Sequence, residues 1–519
     1  MSLSLAPRHS TLITRHLKEL KGNQAILNCS ACHSLDIVSR MDKLVEYIGV
    51  FNEKYWLLVI ALLVIAGVWF GITTLLVQIR YIPDMFKVIV EKPSDIAEGQ
   101  KGISAFKAFT ISAASRVGTG NVAGVAIAIS TGGPGAVFWM WMLALMGGAT
   151  SFVESTLAQA FKVKDHASYR GGPAYYITKV WKLKWAAMLF VLLITVTYGF
   201  VFNAVQSNSI SAAVVTSFDS DPLITNIIVG LILAALTAMI VFGGVQRIAN
   251  FTQVIVPVMA VMYIVIGVIV IAINIDKVPG MVWSIWTHAF GIREFAGATL
   301  GTVIMKGVQR GLFSNEAGMG SVPNAAATAS VSHPVKQGLI QTLGVYFDTI
   351  VVCSITAFII LLARGDVDSN LTGMEMTQNA LASNVGSWGI HFLTVVIIFL
   401  AFSSVIGNYY YGESNIEFAS NSKGLLNGYR VLVVLCVFGG ALGSVPLVWA
   451  LADVFSGLMA TVNLIAILPM GGIAVALLKN FAEQRKQGLN PVFHRDDVPG
   501  IRGWDGMECW DGSDPLTHR

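Results

Sequence analysis

Two short glycine-containing segments interrupt apolar stretches that are otherwise long enough to form membrane helices. They are residues 117–121, with the sequence VGTGN, and residues 313–320, with the sequence FSNEAGMG. A helix broken inside a bilayer exposes backbone N–H and C=O groups that lipid cannot satisfy, and such groups usually line a binding site. The two breaks are therefore the first candidates for ligand contacts.

The first break has residue types that suit an anion on one side and a cation on the other. Gly118 and Gly120 tolerate backbone conformations that a Cβ atom would disfavour, and freed N–H groups beside a half-helix N-terminus suit a substrate carboxylate. Thr119 is a candidate hydrogen-bond partner for the substrate, and Asn121 could offer its side-chain oxygen to a cation. The alternative is that the glycines only permit close helix packing.

The second break contains polar groups and possible pocket walls. Ser314 and the carbonyl groups near Asn315 are candidates for cation or substrate contacts, while Phe313 and Met319 could wall the pocket. Glu316 is an ionisable residue deep in an apolar helix, which makes it a functional candidate for ion coupling or for binding an amine.

Glu316 also has a purely structural interpretation. Arg116, Lys306 and Arg310 are expected at similar depths in the membrane, and Glu316 could simply neutralise one of them. Both interpretations are open at the level of the sequence.

Several other polar residues lie in apolar segments and could reach the same pocket. Gln206 is the best candidate for an amino-acid amine, with Asn203 beside it on the same segment. Asp348 could be a second cation ligand or a proton carrier, and Asn408 lies within another largely apolar run. Glu154 is expected near a helix end, where structural contacts are the simpler interpretation.

Composition identifies the broad class of protein. Of 519 residues, 55% are apolar and 12% are charged, whereas a soluble domain has about 25% charged residues. This predicts an all-α polytopic membrane protein in a lipid bilayer, and the charge distribution gives no reason to expect a nucleic-acid partner. No P-loop, Gly-x-Ser-x-Gly or His-Glu-x-x-His motif indicates an enzyme.

About eleven segments are long enough to cross roughly 30 Å of hydrocarbon. The first stands alone, and the other ten divide into two sets of five, residues 104–274 and 296–478. Because five is odd, the second set begins on the opposite side of the membrane, and each set opens with one of the broken helices. This is the arrangement of a secondary transporter with inverted repeats. The expected segments are 54–79, 104–130, 133–161, 185–215, 223–243, 249–274, 296–331, 337–363, 387–417, 429–445 and 446–478.

Basic residues in the short loops predict the orientation. Lys and Arg cluster in loops 80–103 and 162–184, which places these loops and the C-terminal tail, 479–519, in the cytoplasm and the N-terminus outside. Residues 41–103 are interpreted as an amphipathic lead-in, the first membrane helix and a cytoplasmic loop.

The first forty residues fit this orientation poorly. Residues 1–40 are basic yet predicted to lie outside, which indicates a disordered tail or an upstream start codon. Cys29, Cys32 and His33 have the spacing of a covalent haem site, but about 50 mostly polar residues provide no haem domain, so we expect no haem.

Four ordered motifs show a family resemblance that extends from about residue 54 to 480. The chain resembles the alanine/glycine:cation symporter family, also called sodium:alanine symporters. That family shares the five-plus-five inverted-repeat fold of the bacterial leucine transporter, to whose two breaks residues 117–121 and 313–320 are similar. The matching motifs are VGTGNVAG at 117–124, GGPGAVFWMW at 132–141, YRGGPAYY at 169–176 and GLFSNEAG at 311–318.

The resemblance also implies a sodium site between the first and eighth helices of the core. Ser403 and Ser404 are similar to the hydroxyl ligands of that fold, where they would meet the carbonyl groups of Ala114 and Val117. Ligation by oxygen alone suits a hard cation such as Na⁺. The alternative is that both hydroxyls bond back to their own helix.

The leading hypothesis is import of a small neutral amino acid, alanine or glycine, coupled to Na⁺ by alternating access in the plasma membrane. The alternatives are proton coupling through Glu316 or Asp348, selectivity for glutamine or serine, and a sensor or channel that binds an amino acid without concentrating it. The sequence does not indicate an oligomeric state.

Overall fold

The structure is a computed structural model that describes residues 30–93, 95–97, 100–165, 168–242, 245–292, 299–363 and 371–513. The chain divides into two units, 1–51 and 52–519. The described part of the first unit is helical. Cys29 and most of the expected N-terminal extension, 1–40, lie outside the described residues, while Cys32 and His33 lie on a helix.

The N-terminal region consists of one long helix followed by two short ones. They are α1 (Ser30–Thr73), α2 (Val77–Arg80) and α3 (Ile82–Ile89), and a two-stranded hairpin of β1 (Asp95–Ala97) and β2 (Gln100–Lys101) follows. Leu75 and Leu76 both have a φ of 55°, in the left-handed region, so the chain turns sharply after α1. The first helix thus ends at Thr73 rather than near residue 79.

The first set of helices begins with the broken helix. Its two parts, α4 and α5, are separated by residues 117–119 and a π-helical turn, Gly120–Gly124. A second hairpin, β3 (Val163–Asp165) and β4 (Ser168–Arg170), follows the second membrane helix. The helices are α4 (Ala105–Arg116), α5 (Val125–Gly132), α6 (Gly135–Ala160), α7 (Pro173–Tyr176), α8 (Lys184–Val196), α9 (Phe202–Phe218), α10 (Pro222–Val241) and α11 (Val245–Ile273).

The second set repeats this plan after a connecting helix, α12 (Val278–Ala289). Its broken helix consists of α13 and α14, and a π-helical segment, Tyr346–Cys353, joins α15 to α16. The helices are α13 (Leu300–Asn315), α14 (Val322–Ala327), α15 (Pro334–Val345), α16 (Ser354–Leu361), α17 (Gly373–Val385), α18 (Trp388–Ala419), α19 (Lys423–Leu442), α20 (Val445–Ile467) and α21 (Gly471–Lys486).

The described residues contain nine continuous helical stretches that are long and apolar enough to cross a membrane. They coincide with nine of the expected segments, and the other two expected segments are the broken helices. Large apolar side chains are exposed along α1, α10, α11 and α19, as lipid-facing helices require. The prediction of an all-α membrane fold with two broken helices is confirmed.

The two broken helices lie against each other. A Cβ atom added at Gly120 would lie 2.8 Å from the Phe313 ring and 3.3 Å from the Ser314 Cα, so only glycine allows this approach. At the far ends, Ser330 N donates to the Ile103 carbonyl at 2.9 Å, which links the end of one broken helix to the start of the other. The breaks therefore share one buried region in the middle of the bundle.

Candidate functional site

The first break is lined by side chains from two other helices. Thr119 donates through its backbone N–H (3.1 Å) and its hydroxyl (2.7 Å) to the same oxygen, Oε1 of Gln206 on α9. A Cβ atom at Gly118 would overlap the Ser404 hydroxyl of α18 and would lie 3.0 Å from that Gln206 oxygen. The structure thus brings together four residues that the sequence analysis singled out on three separate segments.

Asn121 connects the first break to the second. Its Oδ1 accepts from Gly118 N at 2.9 Å, while its Nδ2 donates to Ser314 Oγ at 2.9 Å and to Asp348 Oδ1 at 2.7 Å. Ser314 Oγ donates to Asp348 Oδ2 at 2.6 Å, and all three side chains are buried. Asp348 lies in the π-helical segment of the second set, a type of irregularity that is frequent at functional sites.

Glu316 is held by hydroxyl groups. Ser115 Oγ lies 2.7 Å from Glu316 Oε1, and Ser321 Oγ donates to Oε2 at 2.7 Å. Ser115 Oγ also lies 2.7 Å from Asn408 Oδ1, and Asn408 Nδ2 donates to Asn203 Oδ1 at 3.1 Å. Glu316, Asn408 and Asn203 therefore form one buried polar chain, which runs beside the first break.

The cations that could neutralise Glu316 have other direct partners. Arg310 forms a buried ion pair with Asp453, and Lys306 Nζ donates to Gln309 Oε1 at 3.2 Å. Arg116 donates to the Gln341 carbonyl at 3.2 Å.

Arg116 nevertheless supplies positive charge to this region. Its side chain is buried, as are the carboxyl groups of Glu154, Glu316 and Asp348. Among the described residues, no carboxylate lies within 4.0 Å of its guanidinium nitrogens. Arg116 and Glu316 therefore form no direct ion pair in this structure.

Glu154 holds the second break, which sequence reasoning did not anticipate. Its Oε1 accepts from Gly318 N at 3.1 Å, and its Oε2 accepts from Gly320 N at 3.2 Å and from Asn463 Nδ2 at 2.8 Å. Tyr176 OH donates to Asn463 Oδ1 at 2.5 Å. Glu154 is fully buried on α6. Its burial in an apolar helix was the only available signal, because its partners lie more than 160 positions away.

Asn315 and Met319 contribute to the second break in different ways. Asn315 Oδ1 accepts from Ala317 N at 3.0 Å, and its Nδ2 donates to Thr349 Oγ1 at 3.2 Å. Met319 is fully buried, and its backbone N–H donates to the Glu316 carbonyl at 3.1 Å. Asn315 therefore orders the backbone of the break.

The two adjacent serines of α18 have different surroundings. Ser403 Oγ donates to the Leu400 carbonyl at 2.8 Å, a bond within its own helix. Ser404 Oγ bonds to the same carbonyl at 3.1 Å and also lies 3.5 Å from the Val117 carbonyl of the first break. A Cβ atom at Gly407 would lie 3.3 Å from the Ala114 carbonyl carbon, so α18 passes close to Ala114 as well.

An aromatic cluster closes the region on one side. The Phe313 ring lies 4.5 Å from Phe202 and 4.9 Å from Trp449, measured between ring centroids. Beyond Trp449 is a cavity of about 550 Å³. Its lining includes Ala123 of the first break and residues at the ends of α9, α17 and α20, among them Asp219, Glu375 and Val445. The cavity thus leads from one end of the bundle towards the breaks.

Comparison with known proteins identifies the family. The model of the sodium:alanine symporter family matches residues 41–495. The chain belongs to this family. It is therefore a multi-pass membrane transporter and not an enzyme.

Three similar proteins cover almost the whole family region. The amino-acid carrier protein AlsT of Bacillus subtilis is 50% identical, over 89% of this chain and 97% of that protein. The probable sodium/glutamine symporter GlnT of the same organism is 48% identical, over 92% and 98%. The sodium/alanine symporter AgcS of Methanococcus maripaludis is 38% identical, over 85% and 98%.

Proposed function

We propose that this protein couples the import of a small neutral amino acid, alanine or glycine, to Na⁺ by alternating access. One observation supports the proposal above all others. Two donors of Thr119 converge on a single oxygen of Gln206, directly beside the Ser404 hydroxyl and the Val117 carbonyl. Donors for an anion and acceptors for a cation therefore lie side by side at one break.

The substrate carboxylate would bind at the first break. It would accept the hydrogen bonds that Gly118 N and Thr119 now donate to the Asn121 and Gln206 oxygens. The released Gln206 oxygen could then accept from the substrate ammonium group. Phe313 and Met319 would form the apolar wall, with Gly120 leaving room for the Phe313 ring. This close packing favours a substrate with a short side chain.

Sodium would bind where uncharged and anionic oxygens converge. One candidate set comprises the carbonyls of Ala114 and Val117 with the hydroxyls of Ser403 and Ser404, of which Ser404 faces the break in this structure. A second set comprises Asn121, Ser314 and Asp348, with Asn315 next to it. Both sets offer oxygen ligands, as Na⁺ requires.

The test is uptake of labelled alanine into proteoliposomes that contain the purified protein. We expect concentrative uptake with external Na⁺ and little uptake with K⁺. An uptake rate that does not depend on any cation gradient or on the pH gradient would contradict symport. Binding of alanine without accumulation would instead indicate the sensor or channel alternative.

A second candidate substrate is glutamine, because the relative that is 48% identical is named a probable sodium/glutamine symporter. Competition separates the two: a tenfold excess of unlabelled glutamine or serine should leave most alanine uptake intact if the site is selective for alanine or glycine. Strong inhibition by glutamine would favour the second candidate.

Proton coupling is the alternative for the driving ion. Glu316 and Asp348 are fully buried carboxyl groups at the second break, and either could carry a proton. Uptake driven by an inward pH gradient in the complete absence of Na⁺ would favour this mechanism.

We also propose a location in the plasma membrane with the C-terminus in the cytoplasm. The support is the concentration of basic residues in loops 80–103 and 162–184, at one predicted face. Labelling of single cysteines with a membrane-impermeant thiol reagent, in intact and in permeabilised cells, tests the orientation.

A further inference from the structure

The segment after α21 folds back onto the helix bundle. We define residues 487–513 as the C-terminal strap. It contains three short 3₁₀ helices, Arg495–Asp497, Trp504–Gly506 and Glu508–Trp510. Trp510 and Phe493 of the strap are fully buried, with ring centroids 5.5 Å apart. The sequence indicated only a tail at this position, so its burial needs an explanation.

One end of the strap is anchored on the first set of helices. Trp510 Nε1 donates to the Gln159 carbonyl of α6 at 3.0 Å, and Lys162 Nζ lies 4.9 Å from the centre of the Trp510 ring. Lys179 Nζ lies 3.0 Å from Glu508 Oε1 and donates to the Gly506 carbonyl at 3.0 Å. This end therefore combines a buried indole, a cation–π contact and an ion pair.

The other end of the strap is anchored on the second set. Phe493 N donates to the Ser332 carbonyl at 2.9 Å, and Ser332 Oγ donates to the Pro491 carbonyl at 2.7 Å. Lys336 Nζ of α15 donates to Asn490 Oδ1 at 2.7 Å. The strap thus connects the two sets of helices at the end of the bundle that carries loops 161–183 and 328–333.

The residues beneath Trp510 lead directly to the second broken helix. Gln159 Nε2 donates to the Ala326 carbonyl at 2.5 Å and to the Ala329 carbonyl at 3.0 Å. Lys162 Nζ also donates to the Ala329 carbonyl at 3.0 Å. Ala326 belongs to α14, the half-helix that follows the second break. The Trp510 anchor and the end of α14 are therefore bound to the same two residues: Trp510 contacts the Gln159 carbonyl and the Lys162 ammonium group, and the end of α14 contacts both side chains.

We infer that the C-terminal strap is an intramolecular latch that keeps α14 fixed to α6 and holds this end of the transporter closed. The 550 Å³ cavity is lined by residues near the C-terminal end of α9, whereas the strap contacts Lys162 and Lys179, which precede α8 and α9. The two features lie at opposite ends of that helical stretch. The strap end is the cytoplasmic end in the proposed orientation, so inward opening requires the latch to shift.

The consequence for transport depends on the proposed alternating-access function, but the latch itself can be measured without transport. Hydrogen–deuterium exchange of the purified full-length protein, without substrate and without Na⁺, reports the opening of each backbone segment. For Trp510→Ala we expect amide exchange in residues 322–333 to accelerate roughly tenfold. Removing the buried indole should shift the local opening equilibrium of this segment towards its open, exchanging state. Exchange in α10, at the lipid-facing side, should not change.

A matched control lies within the strap. Leu489 is 51% exposed, so Leu489→Ala shortens an apolar side chain of the same segment without touching the anchor, and exchange in 322–333 should stay at the wild-type rate. Unchanged exchange in 322–333 of Trp510→Ala, with faster exchange confined to the strap, would overturn the inference.

Faster exchange in α10 would show that Trp510→Ala destabilises the whole protein. In that case, two milder variants test the latch instead. Trp510→Phe keeps an aromatic ring but loses the N–H donor to Gln159, and Glu508→Gln breaks the ion pair with Lys179. A selective rise in exchange of 322–333 in either variant supports the latch. Wild-type exchange in both variants contradicts it. If the latch is supported while alanine uptake fails, only the transport proposal is lost.

Discussion

The two breaks are in contact with each other, yet the groups that bind their backbones differ in charge. At the first break, the partners of the freed groups are uncharged: the amides of Gln206 and Asn121 and the hydroxyl of Ser404. At the second break, Glu154 is itself the backbone's partner, and Glu316 is part of the break.

From this difference we infer separate roles for the two breaks. Uncharged amide oxygens that accept from backbone N–H groups can be displaced by a substrate carboxylate without leaving a charge unpaired. A buried carboxylate that already binds the backbone cannot be displaced so easily, but it makes its surroundings favourable for a cation. We therefore place the substrate carboxylate at the first break and, nearer the second, the Na⁺ that Ser314 and Asp348 would bind.

The largest expected effect comes from filling the first break. In Gly118→Ala the new methyl group overlaps the Ser404 hydroxyl and crowds Gln206, and uptake should fall about 100-fold, as misplacement by about 1 Å can cause. Gly439→Ala is the control, because a Cβ atom there meets nothing within 4 Å. The measurement is initial alanine uptake, normalised to the amount of folded protein. Near-normal uptake by Gly118→Ala would contradict the assignment of this break.

The next largest effect is expected from the Asp348 carboxylate beside the second break. Asp348→Asn keeps the side-chain size but removes the charge between Ser314 and Asn121, so the Na⁺ concentration for half-maximal uptake should rise about tenfold or more. Glu375→Gln, at an exposed carboxylate that lines the 550 Å³ cavity, should leave this concentration unchanged. Equal Na⁺ dependence in Asp348→Asn and wild type would exclude Asp348 as a cation ligand.

A smaller effect is expected from the carboxylate that holds the second break. In Glu154→Gln one acceptor oxygen becomes an NH₂ group, which cannot accept from Gly318 or Gly320. The maximal uptake rate should fall about tenfold, in line with a hydrogen bond to a charged group worth roughly 1.5–3 kcal/mol. Glu483→Gln, on the exposed face of α21, is the control. A change in half-saturation for alanine alone, at an unchanged maximal rate, would argue for direct substrate contact instead.

The smallest expected effect is the difference between substitutions of the adjacent residues Ser403 and Ser404. Ser404 Oγ lies 3.5 Å from the Val117 carbonyl, whereas Ser403 Oγ donates to the Leu400 carbonyl of its own helix. Ser404→Ala should therefore raise the Na⁺ concentration for half-maximal uptake several-fold more than Ser403→Ala does. Each variant serves as the control for the other in Na⁺ titrations of uptake. The opposite order would contradict the assignment of Ser404, rather than Ser403, as the hydroxyl that binds the cation.

Features encoded locally were predictable from the sequence. Glycine spacing located both breaks, and hydropathy located the nine continuous membrane helices. Polar residues in apolar runs indicated Gln206 and Asp348, because an unpaired polar group is costly in a membrane, and the first break itself indicated Asn121.

Features that depend on distant pairing were not predictable. Glu154 binds the backbone of Gly318 and Gly320, and Trp510 binds the carbonyl of Gln159, more than 300 positions earlier. No local pattern specifies such contacts. The helices α12 and α17 were also missed, since each is too short to cross a membrane and neither has the strong apolar run that revealed the others.

The left-handed residues of the second break have one further consequence. Glu316, Gly318 and Gly320 have φ angles of 57°, 91° and 80°, so every second residue reverses the handedness of the backbone. Such alternation turns N–H groups towards one side and forms a concave anion receptor, or nest. Here the N–H groups of Gly318 and Gly320 both point at Glu154. The Glu154 carboxylate thus occupies this receptor, and we expect a substrate anion to bind at the first break, where the acceptors that it must displace are uncharged amide oxygens.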